Sequence, residues 1–202
     1  MKKQDFQCEH LKELPLRAIV AFSVRCARRV QSFSELPEGH PGKQKLQEDI
    51  EQALLMAEGF ANGSTAPCSD SVVEALDASR RVEGIPLRAK AAAAAASEAA
   101  HAAASAWRLT ESPKTGQDAP PEIKTAEARK FLGGLSLATA DLAARNAFSA
   151  ALEAYQAVGL NNENFVAAAL HDYDTLLRLN LGRYPEAGAP IDPSPRGPLG
   201  PF

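Results

Sequence analysis

Between Ala89 and Ala106 the chain reads AKAAAAAASEAAHAAASA, with alanine at thirteen of eighteen positions. Alanine is the residue that costs least to place in a helix, because it has no side-chain rotamers to lose. Its methyl group also adds almost no width, so neighbouring backbones come close. The tract predicts a buried central helix of an all-helical bundle. Enlarging it at Ala94 or Ala95 is expected to push packed helices apart at one of these two positions at least. Alanine carries no chemistry, so any function must reside elsewhere.

The rest of the composition agrees. A chain of 202 residues has room for one domain with tails. Apolar residues make up 45% but aromatics only 6%, so the core is drawn mainly from Ala, Leu, Val and Ile. That favours close helix packing over a sandwich or barrel, which would need more β-branched and aromatic residues. The fold class read from the sequence is all-α: a single-domain bundle of five to six helices. An N-terminal extension is expected over 1–13, the bundle over 14–182 and an extended Pro/Gly-rich tail over 183–202.

Several classes are disfavoured at once. The net charge of -3 lacks the basic excess of a general nucleic-acid binder. Cys8, Cys26 and Cys68 are odd in number and form no CxxC, which points to a reducing compartment. Lys2 and Lys3 could open a signal peptide, but Asp5, Glu9, Lys12, Glu13 and Arg17 interrupt every apolar window that follows. No stretch supplies the roughly 20 uncharged apolar residues of a membrane span. A cytoplasmic protein without a membrane partner is the expectation.

Helical periodicity organises the chain. Leu16, Ile19, Val20, Phe22, Cys26, Ala27, Val30 and Phe33 share one broad face of a first helix expected over Leu14 to Phe33. Arg17, Arg25, Arg28 and Arg29 fall on the other side. A second helix is expected over Lys43 to Ala61, capped by Asn62-Gly63. A third follows a capping box at Ser71–Glu74 and stops near Gly84. Pro86 opens the alanine helix, expected to reach Leu109, and 112–121 reads as an exposed loop. A further helix spans Glu122 to Val158; its Gly133-Gly134 marks a kink, a break or a close helix crossing. Asn161 or Asn162 caps the last helix, Glu163 to Asn180. Six prolines after it exclude a helix and favour extended or turn conformations. Ile191 and Leu199 make that tail too apolar for a solvated linker, and they are expected to dock between helices.

Chemical motifs are sparse. Glu98-Ala-Ala-His101 places a carboxylate and an imidazole on one helix face, and di-iron bundles carry such a pair on each of two helices. Here it occurs once, so Glu98, His101 and His171 are weak metal candidates, and no metal or cofactor is implied. In His171-Asp172-Tyr173-Asp174, His171 and Asp174 share a face while Asp172 points elsewhere. No G-x-S-x-G elbow and no phosphate loop is present, so no catalytic residue is assigned. The arginine ridge of the first helix is the better candidate. Arg17, Arg25, Arg28 and Arg29 could clamp carboxylates or phosphates in a forked geometry that lysine cannot match. The bland alternative is a solvated face, or one paired internally with Glu48, Asp49 or Glu51.

The stretches LKELPLRAIVAFSVRCARRVQ and DYDTLLRLNLGRYPEAGAPIDPSPRGPLGPF resemble an uncharacterised bacterial family of alanine-rich helical proteins with a Pro/Gly-rich C-terminal tail. The resemblance implies no activity, and it directs attention to Arg25–Gln31 and Ile191–Pro201. The alanine-rich middle is also loosely similar to helical immunity proteins of toxin systems. The leading functional expectation is a non-catalytic helical module that binds or assembles with a protein partner. The alternatives are a metal-binding bundle at Glu98 and His101, an anion or nucleic-acid binder on the arginine face, and an immunity-type protein.

Overall fold

The computed structural model describes the backbone of residues 8–111 and 126–202 and the side chains of 11–110 and 140–202. Among the described residues there are six α-helices and no strand: α1 (Leu16–Val30), α2 (Lys43–Ala61), α3 (Asp70–Arg80), α4 (Leu87–Glu111), α5 (Ala126–Ala157) and α6 (Asn162–Arg178). Short 3-10 helices at Cys8–Glu13 and Gln31–Ser34 flank α1. The expected exposed loop over 112–121 lies outside the described residues.

The alanine helix is central, as expected. α4 packs against α1, α2, α3 and α5, and α5 is its main neighbour. Every alanine of the tract except the partly exposed Ala94 is buried. Methyl-lined contacts of this kind let helix backbones approach without side chains to interdigitate. α5 runs as one helix through Gly133-Gly134, so the pair does not end it.

α1 departs from the sequence reading. The periodicity sets one apolar face against an arginine face, yet Ala18 through Ala27 are buried without interruption, Ser23 and Arg25 included. The cause is coverage from every side: α2, α4, α5 and α6 all contact it, and the C-terminal segment closes the remaining face. A helix buried all round usually lacks polar residues. Here Ser23 satisfies its hydroxyl on Ile19 O at 2.9 Å, and Arg25 requires the arrangement described below. The α-helix is also shorter than the expected Leu14 to Phe33. Past Val30 the chain tightens into the 3-10 turn, where Ser34 Oγ donates to Gln31 O at 2.6 Å.

Two caps sharpen the sequence reading. Ser69 caps α3, accepting from Ser71 N–H, so the expected capping box at Ser71 sits inside the helix. Asn161 caps α6 through Glu163 N–H.

Residues 183–202 lie along the bundle, with Ile191 and Leu199 buried as expected. The N–H groups of Leu16 and Arg17, which have no partner inside α1, donate to Glu186 O and Ala187 O, each at 2.9 Å. Pro15 offers no side-chain cap, and the C-terminal segment supplies one from its main chain. Ile191 N–H donates to Ala61 O at 2.9 Å, tying the same segment to the end of α2. Two glycines permit this fit. Gly188 has φ +79°, and a Cβ there would lie 2.6 Å from the Pro15 ring. A Cβ on Gly197 would lie 2.0 Å from Asp192 O.

Candidate functional site

The arginine ridge is where the helices and the C-terminal segment meet. On α6, Phe165, Ala169, Asp172 and Leu176 recur at helical spacing and are all buried, so Asp172 occupies a core position. α6 is held there partly by a run of aromatic rings, Phe22 to Phe148 to Phe165 to Tyr155 to Phe33, with centroids 5.1–6.4 Å apart. This places Asp172 opposite Arg25 on α1. The pair is bidentate: Arg25 Nε donates to Asp172 Oδ2 and Nη2 to Oδ1, both at 3.1 Å. Both side chains are at most 1% exposed.

Burying two charges is costly unless the remaining donors are met. The C-terminal segment meets them with four main-chain carbonyls. Arg25 Nη1 donates to Gly200 O at 2.7 Å and Pro193 O at 3.4 Å, and Nη2 donates to Pro201 O at 2.9 Å and Leu199 O at 3.2 Å. The Phe202 ring then lies over the guanidinium, 4.6 Å from its carbon to the centroid. Arg25 is thus a post around which the segment is wound.

The other three arginines are placed differently. Arg29, one turn on, donates from Nη1 to Asp172 Oδ2 at 2.6 Å. Arg28 lies on the α2 side, where Glu51 takes a bidentate pair at 2.6 and 3.0 Å and Glu58 accepts from Nε at 2.7 Å. Burial alone would lower the Arg28 pKa, but its hydrogen bonds to Glu51 and Glu58 outweigh that and hold it above its ordinary value. The same bonds hold the Glu51 carboxyl below the usual carboxylate range, against its partial burial. Arg17 donates from Nη1 to Gly188 O at 2.8 Å and lies over Phe60. Of the acidic residues expected to pair with the ridge, Glu51 does so. Asp49 instead binds Lys45 and Ser79, and Glu48 accepts from Gln44. The ridge is therefore no open clamp of four arginines: α6 and the C-terminal segment cover Arg25, and Glu51 and Glu58 take Arg28.

Beside it lies a groove of about 530 Å³, where Arg28, Gln31 and Glu35 face Gln47 and Glu51 of α2. Phe202, 46% exposed, forms its wall.

The weak metal candidates are not brought together into a ligand set. Glu98 is half-buried and accepts from Asn146 Nδ2 at 3.4 Å, and His171 is exposed on α6. Among the described residues no group of three His, Cys, Asp or Glu side chains is placed to hold a metal. Cys26, buried beside the arginine cluster, has its thiol pushed up to about 12 by burial, against the opposing pull of Arg29. Burial likewise pushes Cys68 up to about 11. Neither is an activated nucleophile.

Sequence reasoning marked Arg25 and Arg29 but missed Asp172 as their partner. The signal was present, since a carboxylate in the buried row of α6 needs a buried cation. Glu58 was missed as well, although it follows Glu51 by two turns of the same helix. No family model, curated protein or solved structure matches this chain. No helix among the described residues is long and apolar enough to cross a membrane.

Proposed function

We propose that the chain is a non-catalytic helical interaction module, and that its contact surface is the groove between α1 and α2 walled by Phe202. The observation that carries this reading is the state of Phe202. Its ring is half-exposed yet held in place over the buried Arg25 guanidinium, at the edge of an open groove. A rigid aromatic ring of this kind loses little entropy on contact, and such rings recur as interface anchors. Around it, Gln31, Gln47, Glu35 and Glu51 offer donors and acceptors for a polar rim.

The alternatives have less to rest on. A nucleic-acid surface would need several free cations, and Arg25 and Arg28 are already paired with Asp172 and with Glu51 and Glu58. A metal centre at Glu98 and His101 has no third ligand among the described residues. Two buried thiols, Cys26 and Cys68, suit a reducing, cytoplasmic setting.

The test is affinity capture from the native cytoplasm with the wild-type chain and the Phe202→Ala and Gln47→Arg variants, captured proteins being identified by mass spectrometry. The reading expects a partner retained by the wild type and lost by both variants, with their helical circular dichroism unchanged. A partner held equally by all three, or none held by the wild type, contradicts it.

A further inference from the structure

The cluster at α1 and α6 sets one carboxylate between two guanidinium groups. Asp172 is the only acidic side chain within ion-pair distance of either Arg25 or Arg29 among the described residues. Arg25 spends its donors on Asp172 and four carbonyls. Arg29 does not. Its side chain is 5% exposed, its Nη1 reaches Asp172 Oδ2, and its buried Nε finds no acceptor.

The unused donors have a definite shape. Arg25 holds Asp172 through Nε and Nη2, the edge of a guanidinium that projects two parallel N–H groups. Arg29 uses Nη1 for the shared carboxylate; of the same Nε and Nη2 edge, the buried Nε has no acceptor and Nη2 makes no hydrogen bond among the described residues. Two other arginines also leave Nε unaccepted, but in other settings. Arg145 is 35% exposed and has Asp141 to itself, and Arg17 is engaged by Gly188 O and the Phe60 ring. Arg29 alone joins a buried, unaccepted Nε to a carboxylate it must share.

We propose that the Nε–Nη2 edge of Arg29 is a binding site for a single oxyanion, a carboxylate or a phosphate, at the junction of α1, α6 and the C-terminal segment. A second anion beside Asp172 balances the second guanidinium, and a planar or tetrahedral oxyanion spans the two parallel donors. Arg25 and Asp172 act as positioning residues: their bidentate pair fixes the carboxylate that in turn fixes the plane of Arg29. The site is separate from the groove at Phe202 and stands or falls independently of it. A neutral water could accept from the same N–H groups, but it would leave the charge unbalanced and would not compete with added anions for a saturable site.

The direct test follows the arginine Nε–Hε signals of the wild-type protein by nuclear magnetic resonance. Each signal is assigned by through-bond correlation to its own backbone, and ionic strength is held constant with sodium chloride. Sodium acetate and inorganic phosphate are titrated separately. The proposal expects the Arg29 Nε–Hε signal to move saturably while that of Arg28 stays in place. Tighter saturation by acetate assigns the site to a carboxylate, and tighter saturation by phosphate to a phosphoryl group. Arg29→Lys keeps the charge but removes the fork, and is expected to weaken binding at least tenfold. Movement of no signal by either anion overturns the proposal, as does binding of unchanged strength to Arg29→Lys.

Discussion

Arg25 and Asp172 show how a charged pair is held inside an alanine-rich core. Each is tolerable only because the other is present and because four carbonyls meet the remaining guanidinium hydrogens. Removing one partner of a buried pair typically costs about 3–5 kcal/mol, since the other charge stays buried. Asp172→Ala should fall in that range by urea unfolding, because it leaves two guanidinium groups facing each other without their shared carboxylate. A loss below about 1 kcal/mol would mean the pair is not buried as described. The two cysteines whose side chains are described give a second check. With their thiols raised by burial, Cys26 and Cys68 should resist a thiol reagent in the native Cys8→Ser protein at neutral pH and react fully on unfolding. Rapid reaction of either in the native state would contradict their burial. At this scale the sequence disclosed residue types and rows but not pairings. The row Phe165, Ala169, Asp172, Leu176 placed a carboxylate on an apolar face. Which of four arginines met it depended on the angle at which α6 crosses α1, and no local pattern encodes that.

Among the elements, α4 was the most legible, because alanine at that density has few other uses than close helix packing. Ala95 is fully buried and Ala94 partly exposed, so the two adjacent sites should separate. Ala95→Leu should cost about 1–3 kcal/mol by overpacking, with Ala94→Leu nearer neutral. Equal tolerance at both sites would show that α4 is not tightly enclosed. α1 was less legible for a physical reason. Its hydrophobic periodicity correctly reported an apolar face, but periodicity assumes that the opposite face meets water. Here the opposite face meets the C-terminal segment and α6. The anchors of that segment, Ile191 and Leu199, were readable as apolar residues stranded among prolines. Its main role was not readable, because it binds through carbonyl oxygens, and a main-chain acceptor leaves no mark in the sequence. Gly197 does leave one. Gly197→Ala would drive a Cβ into Asp192 O, and the variant should lower the melting temperature as the end of the segment lifts from Arg25. An unchanged melting temperature would place the Gly197 turn away from Asp192.

For the whole molecule, stability depends on two polar junctions built on the arginine face of α1. The Arg28–Glu51–Glu58 junction ties α1 to α2, and its pH dependence has a definite sign. The Glu51 carboxyl is held low in the folded protein by its hydrogen bond with Arg28, so its contribution is complete above the unfolded value of about 4.3. It is lost as pH falls through the lower folded value. The melting temperature should therefore drop below about pH 4.3, less steeply in Glu51→Gln. Glu51 is 43% exposed, so added salt should shrink the difference between the two proteins. The second junction is the C-terminal segment, which caps α1 with Glu186 O and Ala187 O, pairs with Ala61 O and surrounds Arg25. It makes the segment part of the fold rather than an appendage. The most direct test is amide hydrogen exchange on the intact chain, read residue by residue. Leu16, Arg17, Ala189 and Ile191 should be protected, and their N–H groups should exchange at rates approaching those of the ends of α2. Fast exchange at Ala189 and Ile191, together with unprotected Leu16 and Arg17, would show the segment to be undocked and Arg25 to be held by Asp172 alone.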